Sequence, residues 1–328
     1  IGATNNNGKG VSSIAGGTGN GDGVRLMTCQ IFEGNKASSD AQSAAAFIYA
    51  ADNGACIAQC SYGTSTIITE DDIYINGNGK DGNEKIAGSP LENAALKYFL
   101  DPANSNHESL EGNMAIFAAG NHSTPYSSYP GALPYVISVT AFGIDYLPAG
   151  YTNYGPGVNI SAPGGEIGIN SNSAEPFRAQ ILSTLPKELG KGEYGYMQGT
   201  SMACPHVSGV LALGISYAKK LGKKFSREDM ISMLLSTAND IDQYNDGSSR
   251  TFYHPFSTSP ETMNMEVYKG TMGVGAVDAW KFLMAIEGTP SVVTTPGSKC
   301  TIRLSDYIGD TAGTLDYDIL LDQETKTS

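Results

Sequence analysis

Short apolar runs alternating with helical patterns constrain this chain more than any other feature. Residues 55–62, 114–119 and 136–141 are short and rich in apolar side chains, which predicts buried strands. Residues 24–32 are apolar and predict a further strand. Residues 40–53 are Ala-rich and helical; Ser39 and Gln42 have the spacing of a capping box, and Gly54 is a stop. A long helix is predicted over 201–221, ended by Gly222. Ser226 and Asp229 open the next, through Thr237, and 277–287 form a last one. Short strands separated by helices predict an α/β fold, with a mostly parallel sheet between helices. In such folds the site lies at the carboxyl ends of the strands. Tyr62, Asn121 and Ser201 all fall at or just past such ends.

Composition narrows the class. A chain of 328 residues, 40% hydrophobic, is long enough for a sizeable core, and 40 glycines suit many tight turns. The formal net charge of −13 disfavours nucleic acid or an anionic membrane as partner. No run of about 18 apolar residues occurs, so no transmembrane helix is predicted. The five cysteines, Cys29, Cys56, Cys60, Cys204 and Cys300, are odd in number and scattered, which argues against a disulfide framework. Cys56 and Cys60 would share one strand face about 13 Å apart, too far to bond. Cys204 reads as a buried thiol packed behind Ser201. No metal site is predicted; zinc needs a tighter cluster of ligands. Past Pro290 the character changes. Thr294-Thr295-Pro296-Gly297 reads as a linker, and 300–304 and 314–321 show strand-like alternation. The division is therefore a domain over 1–288, then 289–328 as a linker and the first strands of a β-sandwich-like module.

The run Gly199-Thr200-Ser201-Met202-Ala203-Cys204-Pro205-His206 carries the chemistry. It places a serine at the start of the long helix, beside backbone N–H groups that have no helical acceptor. Those groups can stabilise an oxyanion, and the small neighbours admit a substrate backbone. The same serine also suits a plain helix cap.

This run resembles the nucleophile motif of the subtilases, the subtilisin-like serine proteases. Other segments match that family in order: Ile57-Ala58-Gln59-Cys60-Ser61-Tyr62-Gly63, Phe117-Ala118-Ala119-Gly120-Asn121, Tyr129-Pro130-Gly131-Ala132-Leu133-Pro134, Tyr154-Gly155-Pro156 through Ala162-Pro163-Gly164, and Gly273-Val274-Gly275-Ala276-Val277-Asp278-Ala279. The resemblance implies a subtilisin-like three-layer fold, truncated at its N-terminus. It implies endopeptidase chemistry through an acyl-enzyme, with Ser201 as nucleophile and Asn121 as oxyanion donor. Ser61, Tyr62 and Gly63 would pair with an extended peptide, Tyr62 walling an outer subsite. Ala118, Ala119 and Gly120 would line the primary pocket, Ser128 would form its floor, and Thr200 would flank the substrate. A small polar floor suits uncharged side chains and offers no carboxylate to Arg or Lys.

The resemblance also defines what the sequence lacks. Subtilases order their triad Asp, His, Ser, and the His and Asp segments would lie upstream of Ile1. The expectation is a secreted or cell-envelope protein, with its own N-terminal fragment as a candidate partner. No cofactor is required. A structural calcium ion would belong to the segment from Asn5 to Val11, and a second candidate loop is 64–89. Removing the strand that carries the Asp would leave exposed strand edges. Four histidines are present: His107 in a polar stretch, His122 after Asn121, His206 inside the nucleophile motif, and His254 in an aromatic loop. An internal triad of Ser201, Asp240 or Asp242, and His254 would follow α/β-hydrolase order, but the serine lacks the Gly-x-Ser-x-Gly elbow. Without a base the hydroxyl is a weak nucleophile. An inactive pseudoprotease or peptide-binding fragment is therefore the alternative reading.

Overall fold

The computed structural model describes residues 1–34, 36, 38–63, 89–167, 179–189, 192–255 and 259–288. In chain order the helices and strands are α1 (Asp40–Asp52), β1 (Ile57–Cys60), α2 (Pro90–Leu100), β2 (Leu110–Glu111), β3 (Met114–Ala118), β4 (Ile137–Phe142), β5 (Ile160–Pro163), β6 (Ile181–Thr184), β7 (Tyr194–Met197), α3 (Thr200–Lys220), β8 (Phe225–Ser226), α4 (Arg227–Ser236), β9 (Ser249–Tyr253), β10 (Pro260–Asn264) and α5 (Ala279–Glu287). The principal sheet has the order β1-β3-β4-β5. All its pairings are parallel, with Ile57 opposite Met114, Ile116 opposite Ile137 and Val139 opposite Ile160. This is the α/β fold expected.

The period-two alternation of β3 explains the layers. Met114, Ile116 and Ala118 join a core cluster with Val207 and Leu211 of α3 and Phe282 of α5. Their neighbours Ala115 and Phe117 point the other way, into a cluster with Phe47 of α1 and Phe99 of α2. The strand is therefore apolar at every position because both faces are covered. Helix boundaries follow local chemistry. Ser39 and Gln42 form the capping box of α1, and Ser226 and Asp229 that of α4. Gly288 ends α5 in the left-handed conformation.

Several expectations are corrected or fall elsewhere. Residues 24–32 form no strand: Val24 donates to the Ala15 carbonyl, and Leu26 stays 64% exposed. An apolar run becomes a strand only where a neighbouring edge accepts its hydrogen bonds, and local pattern does not carry that information. The region around His254 is not simply a loop, because β9 and β10 pair as an antiparallel hairpin, Tyr253 opposite Pro260. The β-rich module expected over 289–328 lies outside the described residues, as does most of the 64–89 loop. In the segment from Asn5 to Val11, the Asn5 side-chain oxygen accepts Ser13 N–H and that of Asn7 accepts Lys9 N–H.

Candidate active site

The site is built at the start of α3. Gly199 is its N-cap, with φ 143° and no side-chain cap. A residue with a Cβ would be strained at that φ. Thr200 and Ser201 follow as the first two helical residues, where N–H groups have no intrahelical acceptor. Pro205, inside the helix, has no N–H and frees the carbonyl of Ser201. Ser61 Oγ fills that place, donating to the Ser201 carbonyl at 2.8 Å. In return Ser201 Oγ donates to the Ser61 carbonyl at 3.3 Å. One proline thus ties the carboxyl end of β1 to the serine turn.

Asn121 lies just past β3. Its Oδ1 accepts from Thr200 N–H at 2.8 Å and from Thr200 Oγ1 at 2.9 Å. Both partners donate, so Oδ1 faces Thr200 and the amide NH₂ is turned elsewhere. Thr200 is 1% exposed, and its hydroxyl also accepts Gly120 N–H at 3.2 Å. Thr200, expected to flank the substrate, therefore orients Asn121. A Cβ placed on Gly199 would stand 3.5 Å from Asn121 Nδ2 and 3.7 Å from Ser201 N. Asn121 Oδ1 stands at 3.7 Å from the same point, so the Asn121 carboxamide and the Ser201 N–H both lie beside Gly199, whose φ rather than lack of room calls for glycine.

The remaining expected residues gather around these. Gly120 has φ 111°, and a Cβ there would collide with Asn153 and Ser128. Ala118 and Ala119 are buried, and Ser128 N–H donates to the Ala119 carbonyl at 2.7 Å. Gly63 lies against Ser128 and the Tyr129 carbonyl. The Tyr62 ring packs edge-on to Phe117, and its hydroxyl donates to Glu92 at 2.9 Å, so much of this side chain belongs to the α1–α2 layer.

Sequence reasoning missed Asn153. It is 1% exposed, and its Nδ2 donates to the Ala119 carbonyl and to Ser128 Oγ. Its Oδ1 accepts from His122 and Thr124 N–H. This one carboxamide holds the loop after β3 on both sides of Asn121. The available signal was its place just before the quoted Tyr154-Gly155-Pro156 segment.

The internal triad is not assembled. His254 Nδ1 lies 2.8 Å from the Asn121 carbonyl and Nε2 3.2 Å from Glu261. Asp240 accepts Asp242 N–H, and Asp242 accepts Gly270 N–H. His206 Nδ1 faces the Met202 carbonyl within its own helix, and His107 Nδ1 accepts Ser109 N–H. Burial lowers the pKa of both, and of His122. Cys204 is fully buried behind the turn, and its pKa is pushed up to about 11, so it is a protonated thiol at neutral pH. No cluster of three His, Cys, Asp or Glu suited to a metal occurs among the described residues.

A family model for subtilases matches residues 1–255, more than three quarters of the chain. The chain belongs to the subtilase family. Among its relatives, the extracellular basic protease of Dichelobacter nodosus is 35% identical over 131 residues, covering 39% of this chain. The cell wall-associated protease of Bacillus subtilis is 29% identical over 201 residues, covering 58% of this chain. The chain spans 20% of the length of each of these two relatives. In three dimensions, a protease from Pseudoalteromonas arctica superposes with a TM-score of 0.55 at 24% identity, covering 87% of this chain and 68% of the other. That likeness establishes the subtilisin-like fold. No helix among the described residues is long and apolar enough to cross a membrane.

Proposed function

We propose that this subtilase chain carries the nucleophile and oxyanion site of a serine endopeptidase, with Ser201 as nucleophile. The observation that carries this reading is the nearness of two donors, Asn121 Nδ2 and Ser201 N, which lie 3.5 and 3.7 Å from the point a Cβ on Gly199 would take. A carbonyl oxygen gaining charge as Ser201 attacks would be held between them. In the first step the Ser201 oxygen bonds to the substrate carbonyl carbon and its proton passes to a base. The leaving amine takes that proton as the acyl-enzyme forms, and water then releases the acyl group. No described histidine accepts from the Ser201 hydroxyl, whose partner is the Ser61 carbonyl. The base and its orienting carboxylate are a His and an Asp supplied by a segment of the full-length protein outside this sequence. That segment, docked on this chain, is the proposed partner.

The substrate is a peptide laid along Ser61, Tyr62 and Gly63, its side chain entering the space near Ala118, Ala119, Gly120 and Ser128. The names of the relatives, extracellular and cell wall-associated, favour export. No cofactor takes part in the proposed steps.

Kinetics of the full-length protein on a peptide substrate test the reading. Ser201→Ala should remove at least about 10³-fold of the rate, and Asn121→Ala about 10²–10³-fold in kcat. A full-length protein that binds peptide equally well with or without Ser201, and cleaves none, would establish the peptide-binding alternative.

A further inference from the structure

Asn121 is held from two sides, and only one of them belongs to the serine turn. On the far side its main-chain carbonyl faces His254 Nδ1 at 2.8 Å. Strand β3 ends at Ala118, and the chain turns at Gly120, so this carbonyl has no place in the sheet ladder. A carbonyl only accepts, so Nδ1 carries the hydrogen of this bond. The ring packs edge-on to Phe252, centroids 5.2 Å apart, and Nε2 lies 3.2 Å from Glu261, an ion pair when both ring nitrogens carry hydrogens. His254 directly follows β9, and Glu261 lies on β10.

The hairpin is itself anchored. Arg250 pairs with Glu166 at 2.5 Å and with Asp145 at 3.1 Å. Phe252 is buried against Gly150, where a Cβ would collide with its ring. The Tyr253 carbonyl accepts from Gln198 Nε2 at 2.6 Å. Gln198 immediately precedes Gly199, Thr200 and Ser201. Two consecutive hairpin residues therefore grip the two segments that carry the oxyanion donors: Tyr253 the serine turn, His254 the asparagine loop.

We infer that the β9–β10 hairpin is a positioning element for the oxyanion donors, and that His254 is its positioning residue, acting through the Asn121 backbone. This rests on the protease reading for its kinetic consequence only. The donor acts on charge that develops in the transition state, so misplacing it lowers kcat and spares KM.

The test uses the full-length protein and four forms: wild type, His254→Ala, His254→Asn and the double variant His254→Ala with Asn121→Ala. Losing one hydrogen bond to the loop should lower kcat about tenfold, with KM within about twofold. His254→Asn keeps an N–H near the Nδ1 position and should restore most of the loss. In the Asn121→Ala background the His254→Ala change should have little further effect. Amide hydrogen exchange gives a second readout that needs no activity. The Thr200 N–H, which donates to Asn121 Oδ1, should exchange several-fold faster in His254→Ala, while amides of the Ser226 cap keep their rates. An inactive wild type sinks the protease reading, and the exchange comparison then decides this one. Unchanged Thr200 exchange, or an equal kcat loss with and without Asn121, overturns the inference.

Discussion

Single buried groups set the character of this site. Glu166 is 2% exposed, and burial pushes its pKa up to about 7 although Arg250 and Gly150 N–H both favour its charge. In the unfolded chain a glutamate ionises near pH 4.3. The raised value means that the fold favours the neutral form. This contribution is fully present below the unfolded pKa and is lost as pH rises through about 7. Unfolding free energy should therefore fall by about 3 kcal/mol between roughly pH 4 and pH 8 from this group. Denaturant titrations of wild type and Glu166→Gln across that range check it: the difference between them should change with pH in that sense. A constant difference would refute it. Ser201, Asn121, Gly120 and Ser128 were singled out by the family-like motifs they sit in or beside, and the fold brings Asn121 and Gly120 against Thr200, and Ser128 against Gly120. Asn153 and His254 were not so marked. Their roles depend on partners 34 and 133 residues away, and no local pattern encodes such a contact.

At the scale of elements, legibility followed burial. Strands β1, β3 and β4 are short apolar runs, and each was predicted within a few residues. The hairpin was not, because Ser249–Tyr253 and Pro260–Asn264 are largely polar and only Phe252 among them is buried, with neither helical nor strict strand periodicity. Residues 24–32 failed in the opposite direction: the apolar pattern is there, and the pairing is not. The link between β1 and α3 offers a sharper test. Pro205 leaves the Ser201 carbonyl without a helical donor, and Ser61 supplies one. Ser61→Ala should cost about 1–3 kcal/mol, since a partly buried carbonyl then loses its partner. Thermal unfolding measures this, and an unchanged midpoint would show that the helix end does not need the bond. Ser61→Thr keeps the hydroxyl and should retain most of the stability.

At the scale of the molecule, the parallel sheet explains why so few residues suffice. Strands β1 and β3 run the same way, so Ser61 and Gly120 emerge at one edge, where the N-terminus of α3 also lies. The sheet, covered by α1 and α2 on one face and by α3 and α5 on the other, fixes these ends rigidly. The fold and the family could be read from the chain because motif order and strand–helix alternation say the same thing. Covalent capture by a peptidyl fluorophosphonate asks whether Ser201 is the nucleophile. The full-length protein is treated with the reagent, digested and mapped by mass spectrometry. One phosphonylated peptide is expected, modified at Ser201, with labelling lost in Ser201→Ala and much slowed in Asn121→Ala. Labelling at another serine, or undiminished labelling of Ser201→Ala, would contradict that role for Ser201.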